Sequence, residues 1–177
     1  YLQPETNLDR SEGWPALFDA DLVVLPELVA TGYFFRSTEE AESVAEEIPG
    51  GPTVTRLHDW AKRSGATIVA GLVERSGGRL FNSAVVVTPR GWLGTYRKVH
   101  LYYQEKLHFT PGDLGFPVWT VADRTGAAYR LGVMICFDWY FPEAARSLAL
   151  AGADVIAHPS NLVRSDCPRS MPIRALE

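Results

Sequence analysis

The sequence contains little cysteine, with only Cys136 and Cys167 among 177 residues. The two do not form a C-x-x-C pair and no histidine cluster accompanies them, so a structural zinc site is not indicated. Counting leaves a disulfide between them open, but so few cysteines favour a reducing compartment over a disulfide-stapled secreted fold. We therefore expect a cytoplasmic protein.

Long apolar runs and basic patches are also missing. No apolar stretch approaches the roughly 18 residues that cross a bilayer, so we expect no membrane partner. The net charge is −4, and the basic residues are scattered along the chain. Proteins that bind nucleic acid normally carry a basic patch or stripe, so we expect no nucleic-acid partner.

The sequence does have enough apolar material for a core. Hydrophobic residues make up 46% of the chain, which suits one globular α/β domain over residues 1–177. The chain opens on Tyr1 and closes within residues 171–177, which read as a helix just beginning. We expect this domain to be incomplete at both ends.

Strand and helix signals alternate along the chain, which predicts an α/β layered fold. Ser37 with Glu40 indicates a capping box before a helix over 41–48, and Thr53 is placed to cap a helix that ends near Gly65. A further helix is predicted at 143–151, after Pro142. Strands are predicted at 21–26, 67–73, 79–88, 92–98, 130–135 and 154–158.

Three reactive side chains stand at the ends of predicted strands, namely Glu27, Lys98 and Cys136. Ligands in open α/β sheets bind beyond the carboxyl ends of strands, so these positions favour a shared site. An ordinary thiol is only a few per cent ionised at pH 7 and needs a base, which Glu27 could provide. Lys98 and the backbone N–H of Phe137 could hold a developing oxyanion.

Each of these residues alone has an ordinary structural explanation. A cysteine after a buried strand is more often a small core residue than a nucleophile, and a single Glu or Lys is usually solvated. Their joint occurrence at three strand ends favours nucleophilic acyl chemistry. One alternative is a Cys–His hydrolase that uses Cys136 and His158. Another is a non-catalytic subunit that binds partners or small molecules.

The residues around these strand ends form distinctive blocks. They are Leu25-Pro-Glu-Leu-Val-Ala-Thr-Gly-Tyr33, Tyr96-Arg-Lys-Val-His-Leu101 and Gly132-Val-Met-Ile-Cys-Phe-Asp-Trp-Tyr-Phe-Pro-Glu143, with the further pieces Glu105-Lys-Leu-His-Phe-Thr-Pro-Gly112, Gly152-Ala153 and Pro159-Ser-Asn161. In this order and spacing the blocks resemble the nitrilase superfamily, the carbon–nitrogen hydrolases with a Glu-Lys-Cys triad. The likeness covers nearly the whole chain.

The resemblance implies a four-layer α-β-β-α sandwich with Cys136 as nucleophile, Glu27 as general base and acid, and Lys98 as oxyanion partner. It also implies that Glu105 helps to position the lysine and the substrate. The family uses no metal or organic cofactor and commonly pairs its subunits. We therefore expect a homodimer or higher homo-oligomer, and the small side chains of the helix at 143–151 favour such close packing.

Residues just after the catalytic strand ends are candidates for the substrate pocket. Tyr33 and Trp139 are predicted to form its walls. Asn161 follows another strand and could hydrogen-bond the substrate, and Phe137 contributes its backbone donor.

The sequence therefore predicts a hydrolase that cleaves a non-peptide carbon–nitrogen bond of a small amide or carbamoyl compound through a cysteine thioester. The alternative within the family is a nitrilase, which converts a nitrile to its acid. Phe137-Asp138 follow the nucleophile here, whereas many nitrile-hydrolysing relatives carry Trp-Glu at those places. This difference favours amides over nitriles.

Overall fold

A computed structural model describes residues 2–12 and 19–177 of the chain. These residues form five α-helices and seven β-strands, with short 3-10 helices at Tyr103–Leu107 and Cys136–Tyr140. The helices are α1 (Pro4–Glu12), α2 (Thr38–Ser43), α3 (Pro52–Ser64), α4 (Pro142–Leu150) and α5 (Cys167–Leu176). The strands are β1 (Leu22–Val24), β2 (Thr67–Ser76), β3 (Arg79–Thr88), β4 (Gly91–Arg97), β5 (Val118–Ala122), β6 (Ala128–Val133) and β7 (Val155–Ala157).

The strands form two sheets. The first has the order β1-β2-β3-β4, in which β1 runs parallel to β2 and the other neighbours are antiparallel. The second has the order β5-β6-β7, with β5 antiparallel and β7 parallel to β6. Strands β2 and β3 pair from Ile68 opposite Val87 to Ser76 opposite Arg79. Both strands are rich in β-branched residues and buried along most of their length, which favours this long pairing.

Alternate side chains of the first sheet face two different layers. On the outer face, Ile68 and Leu72 of β2 pack in one apolar cluster with Leu57 and Trp60 of α3. On the inner face, Val69 lies in a second cluster that it shares with the other sheet. This alternation follows from the two-residue period of a strand.

The second sheet completes the layers. Leu131 and Val133 of β6 pack toward the first sheet, in the same cluster as Val86 of β3. The opposite face is covered by α4 and α5, whose Leu148 and Cys167 are both fully buried. The layer order is helix, sheet, sheet, helix, so the predicted four-layer α-β-β-α sandwich is confirmed.

Helix α3 begins two residues earlier than predicted and has a different cap. Gly51 is the N-cap and Pro52 occupies the first turn, where its missing N–H leaves no donor unpaired. The side chain of Thr53 donates instead to the carboxylate of Glu46. The end of the helix is as predicted, because Gly65 adopts a left-handed φ of 75° and its N–H closes the last turn.

The helix predicted after Ser37 is shorter than expected. The Ser37 hydroxyl accepts the N–H of Glu40 at 3.3 Å and so caps the helix as predicted. The helix nevertheless ends at Ser43, because Glu46 pairs with the edge of β2 and its N–H donates to the carbonyl of Val73 at 3.0 Å. Strand-like pairing replaces the last helical turns.

Helix α1 and strand β5 were not predicted, and α5 begins upstream of the expected start at residue 171. Only Val121 of β5 is buried, so this edge strand lacks the apolar run that marks the others. Helix α5 begins at Cys167 and contains Pro172 in its interior, which weakens its helical pattern. None of the helices in the described residues has the length and apolar character needed to cross a bilayer.

Helix α4 packs part of its alanine-rich face against the rest of its own chain. Ala144, Ala145 and Leu148 are buried under the second sheet, whereas Leu150 is 80% exposed. These three residues fill the chain's own core, and the homo-oligomer expected from the sequence stays a prediction.

Candidate active site

Three chain segments bring the reactive side chains to one buried place. Glu27 follows β1, Lys98 follows β4, and Cys136 opens the 3-10 helix after β6. Glu27 and Lys98 are each 1% exposed and Cys136 is 5% exposed. The first two belong to one sheet and the cysteine to the other, so the site lies where the two sheets meet.

Strand β2 approaches Glu27 closely because position 71 is glycine. A Cβ atom at Gly71 would lie 2.3 Å from the backbone N of Leu28 and 2.7 Å from the Cα of Glu27. Leu28 itself has a φ of 50°, a conformation that residues with side chains rarely adopt. This tight contact fixes the backbone at Glu27 against the sheet.

The carboxylate of Glu27 accepts several hydrogen bonds. Its Oε1 accepts from Nζ of Lys98 at 2.7 Å and from Nδ2 of Asn82 at 2.8 Å. Its Oε2 accepts the backbone N–H of Asn161 at 3.2 Å. The charge of Glu27 also acts on the thiol of Cys136, so a base and a candidate nucleophile lie close together.

Lys98 lies between two carboxylates. Its Nζ donates to Oε1 of Glu105 at 2.8 Å in addition to Glu27, and the second oxygen of Glu105 accepts the N–H of Tyr102 at 2.9 Å. Burial works to lower the pKa of Lys98, but the charges of Glu27 and Glu105 raise it overall. Lys98 is therefore a fixed cation at neutral pH. Burial and the charge of Glu27 raise the pKa of Glu105 against the opposing effect of Lys98.

Cys136 has both a strained backbone and a protonated thiol. Its φ is 40°, in the left-handed region, and such strain is typical of functional sites. Its N–H donates to the carbonyl of Pro159 at 2.9 Å, and Sγ lies 3.7 Å from the carbonyl oxygen of Asn161. Burial, and then the charge of Glu27, raise the pKa of the thiol to about 12 although Lys98 opposes the shift. The thiol therefore needs a base before it can act as a nucleophile.

The geometry does not support His158 as that base. Its Nε2 lies 2.9 Å from the backbone oxygen of Cys136 rather than at the sulfur, and burial lowers its pKa. The disulfide that counting left open is not formed, because Cys136 and Cys167 are both free.

A cavity of about 200 Å³ opens beside Glu105. Tyr33 lies in its wall together with Glu105. Burial, followed by the charges of Glu105 and Glu27, raises the pKa of Tyr33. Most of the other wall residues are aromatic, including Phe34, Phe35, Tyr102, Tyr103 and Phe109.

Phe137 and Asn161 both lie at this site. The ring of Phe137 packs edge-on against Tyr102, a wall residue of the cavity, with ring centroids 4.9 Å apart. Among the hydrogen bonds of the described residues, the Phe137 N–H has no protein acceptor. The side-chain amide of Asn161 donates to the backbone oxygen of Glu27 at 2.7 Å, so this residue ties Glu27 to the cysteine segment.

The structure places Trp139 elsewhere. The 3-10 helix turns its side chain under the second sheet, where it packs with Met134, Ala145 and Leu148. It is not among the residues that line the cavity beside Glu105. The prediction of Trp139 as a pocket wall is therefore wrong.

Asp138, two residues after the nucleophile, accepts several hydrogen bonds at this site. Its fully buried carboxylate accepts the hydroxyl of Tyr96 at 2.7 Å, the N–H of Ile135 at 2.9 Å and the N–H of His100 at 3.0 Å. It also lies 2.8 Å from Nδ1 of His100. Asp138 thereby joins the cysteine segment to the chain that follows β4.

Asn82 was also missed. It is 1% exposed on the inner face of β3 and donates to Glu27. An amide in the middle of a strand that is buried along most of its length was the signal that could have drawn attention to it.

The arrangement has the parts needed for nucleophilic attack on an electrophilic carbon. A thiol lies near a carboxylate base, and a fixed cation is bound to that carboxylate where negative charge can develop. Across residues 2–12 and 19–177, no group of three His, Cys, Asp or Glu side chains is arranged to hold a metal ion.

Comparison with known proteins gives consistent relatives. A nitrilase of Pyrococcus abyssi is 54% identical over 179 residues, which cover 99% of this chain and 66% of that protein. An N-carbamoylputrescine amidase of Solanum lycopersicum is 38% identical over 148 residues, which cover 80% of this chain and 47% of that protein. The chain thus spans between about half and two thirds of the length of these relatives.

Solved structures and a family model agree with these relatives. The crystal structure of an amidase from Nesterenkonia sp. is similar with a TM-score of 0.77 and 27% identity, covering 98% of this chain and 66% of that one. The family model for carbon-nitrogen hydrolases matches residues 11–177. Because this match covers most of the chain, the chain belongs to the carbon-nitrogen hydrolase family.

Proposed function

We propose that this protein cleaves the non-peptide carbon–nitrogen bond of a small amide or carbamoyl compound through a thioester on Cys136. The observation that carries this proposal is the burial of the Cys136 thiol beside the Glu27 carboxylate, which the Lys98 ammonium holds at 2.7 Å. Membership of the carbon-nitrogen hydrolase family supports the same type of reaction.

The first step is proton transfer from the thiol. Because burial and Glu27 raise the pKa of the Cys136 thiol to about 12, the free protein holds very little thiolate at neutral pH. Glu27 lies near enough to the thiol to shift its pKa, and it takes the thiol proton as Sγ attacks the carbonyl carbon. The carbonyl π electrons move to oxygen, which becomes an oxyanion.

Two donors are available for that oxyanion. Lys98 is held at the site by its two carboxylates, and the Phe137 N–H belongs to the residue directly after the nucleophile. Donors that are fixed before the reaction stabilise developing charge without reorganisation. Removal of either donor therefore raises the barrier to attack.

The proton held by Glu27 then moves to the leaving nitrogen. The carbon–nitrogen bond breaks, the amine or ammonia leaves neutral, and the oxyanion returns its electrons to re-form the carbonyl of a Cys136 thioester. A water molecule attacks this thioester while Glu27 takes its proton, and that proton returns to Sγ as the carbon–sulfur bond breaks. The products are the free acid and the starting enzyme.

The size and walls of the cavity support a small substrate. Its volume of about 200 Å³ lies below the range of roughly 300–1,000 Å³ that is usual for drug-sized ligands. The aromatic walls suit a substrate whose acyl part is at least partly apolar. The name of the N-carbamoylputrescine amidase relative supports a carbamoyl compound.

A nitrilase is the second candidate, because the relative at 54% identity carries that name. Attack of Sγ on a nitrile carbon gives a thioimidate, whose nitrogen takes up the proton before water adds and ammonia leaves. Phe137-Asp138 after the nucleophile favour the amide reaction, which needs early proton delivery to nitrogen from Glu27. Both reactions use the same three residues.

We also propose a cytoplasmic homo-oligomer. Exposed apolar side chains lie on and near the outer helices, notably Leu150, Ile173 and Leu176. A second copy that packs on this side would cover them with an isologous interface. Sedimentation should show a dimer or larger species at micromolar concentration, and a monomer would contradict this part of the proposal.

A panel of matched aliphatic amides, N-carbamoyl amines and nitriles tests the reaction. We expect release of amine or ammonia from an amide or carbamoyl compound, and complete loss of release in Cys136→Ala. The matched control is Cys167→Ala, which removes the other buried free thiol and should keep its activity. Turnover that survives in Cys136→Ala, or no turnover of any member of the panel, would contradict the proposal.

A further inference from the structure

Asn82 touches Glu27 but has no place in the mechanism above. Its Nδ2 donates to Oε1 of Glu27 at 2.8 Å, and the residue is 1% exposed. An ionised carboxylate can only accept, so the amide must turn its NH₂ group toward Glu27. Its Oδ1 is then buried without a hydrogen-bond partner among the described residues. An unpaired buried oxygen destabilises a fold, so packing alone explains this asparagine poorly.

The sheet places Asn82 beside Lys98. Strands β3 and β4 pair with Ser83 opposite Arg97, and the Lys98 N–H donates to the Asn82 carbonyl at 2.9 Å. Residues opposite each other in an antiparallel pair project from the same face. Two neighbouring strands therefore deliver two donors to one oxygen of Glu27, at 2.7 and 2.8 Å.

The other oxygen of Glu27 is held more loosely. Oε2 accepts the Asn161 N–H at 3.2 Å, a longer contact than either one at Oε1. Donors stabilise charge on the oxygen they touch and make it a weaker proton acceptor. Oε2 is thus the better acceptor for a proton that arrives from Cys136.

We propose that Asn82 is a positioning residue that holds Oε1 of Glu27 and leaves Oε2 to accept the thiol proton. The proposal rests on the role of Glu27 as the base in the proposed function. Lys98 cannot do this alone, because it must also hold the oxyanion during the reaction. Asn82 is neutral and its backbone is paired to β4, so its amide stays on Oε1 throughout.

The test is the rate at which iodoacetamide alkylates Cys136 as a function of pH. Asn82→Leu keeps a similar volume without a donor, and Asn82→Asp keeps the shape with acceptors only. A carboxylate that loses a donor gains its proton at higher pH, and a protonated Glu27 cannot take the proton of the thiol. We expect the acidic fall-off in rate to move up by about one pH unit in Asn82→Leu and further in Asn82→Asp.

Two controls separate this effect from a general loss of structure. Ser83 follows Asn82 in the same strand, and its hydroxyl donates a buried hydrogen bond of 2.6 Å to the carboxylate of Glu74. Ser83→Ala removes that hydrogen bond. The acidic fall-off of the alkylation rate in Ser83→Ala should match that of the unmodified protein, whatever the melting temperature of the variant. In a Glu27→Gln background, Asn82→Leu should no longer change the pH profile of alkylation, which identifies the shift with Glu27.

The outcomes are distinguishable. If the alkylation rate of both Asn82 variants depends on pH as in the unmodified protein, the positioning role is wrong. This holds even when the variants melt at a lower temperature. Alkylation of Cys136 in Glu27→Gln at the rate of the unmodified protein throughout the pH range would refute the base itself and with it the proposed function. Alkylation needs no turnover, so the role of Asn82 is tested even if no substrate in the panel is hydrolysed.

Discussion

Replacing Gly71 by alanine should displace the carboxylate on which the proposed reaction depends. The added carbon would lie 2.3 Å from the N of Leu28, and 2.7 and 2.9 Å from the Cα and carbonyl carbon of Glu27. Ordinary van der Waals contact begins at 3.4 Å, so the backbone at Glu27 must move by about 1 Å. All three atoms belong to the backbone, and no side-chain rotation can relieve the overlap.

A movement of this size is large for the site. The Glu27 carboxylate is held by contacts of 2.7 and 2.8 Å, which a shift of about 1 Å would break or distort. Misplacement of a reacting group by about 1 Å can cost about 10²-fold in rate. Overpacking typically costs about 1–3 kcal/mol of stability. We expect Gly71→Ala to fold, to melt at a lower temperature and to lose about 10²-fold in kcat/KM, mainly through kcat.

The assay is steady-state hydrolysis of the best amide, with melting followed by circular dichroism. Gly50→Ala is the matched control, because a Cβ atom there meets no atom within 4 Å. It should leave both kcat/KM and the melting temperature unchanged. A Gly71→Ala variant with native kcat/KM would refute the argument that this close approach positions Glu27.

The remaining predictions concern the lysine, the thiol and the substrate. Lys98→Ala should lower turnover by about 10²–10³-fold. The double variant with Cys136→Ala should be little worse than Cys136→Ala alone in steady-state assays, because the residues act as a unit. A Lys98→Ala variant that retains most of its activity would refute the role of Lys98. Burial raises the pKa of the Cys136 thiol from 9.0 to about 12, so the stability that the protonated thiol contributes is complete below pH 9 and is lost as the pH rises toward 12. In chemical denaturation, the unmodified protein should therefore lose more stability than Cys136→Ala between about pH 8 and about pH 10.5, and parallel losses would contradict the raised pKa. Matched aliphatic amides should exceed nitriles in kcat/KM, and nitriles ahead by more than about tenfold across several pairs would make the protein a nitrilase.

The strand ends could be predicted because buried strands leave a clear mark on the sequence. The strand predicted at 79–88 coincides with β3, and β4 differs from its prediction by one residue at each end. Once those runs are located, Glu27, Lys98 and Cys136 stand out as reactive side chains that directly follow apolar segments. Their meeting in space then follows from the packing of the two sheets.

The partners of these residues could not be predicted, because they depend on register and on local turns. Asn82 contacts Glu27 across 55 positions of sequence, and only the pairing of β3 with β4 places it beside Lys98. Trp139 is three residues from Cys136, yet the 3-10 helix carries its side chain to the opposite face of the sheet. Sequence proximity therefore misled the assignment of the pocket wall.

Competition between local and long-range pairing explains the wrong helix boundary. The residues after Ser43 read as a continuation of α2, because their spacing and composition favour a helix. The edge of β2 offers Glu46 a carbonyl acceptor at Val73, and this pairing ends the helix. The sequence pattern of neighbouring residues carries no information about that strand edge.

The central claim is that Cys136 attacks the substrate carbon and carries its acyl group before water releases the acid. Mass spectrometry of the peptide that contains Cys136, after rapid acid quench with a slowly hydrolysed amide, measures this directly. We predict a mass increase equal to the substrate's acyl group without its amine, on Cys136 and not on Cys167. Continued hydrolysis in the same sample, with Cys136 unmodified at every quench time, would contradict the account.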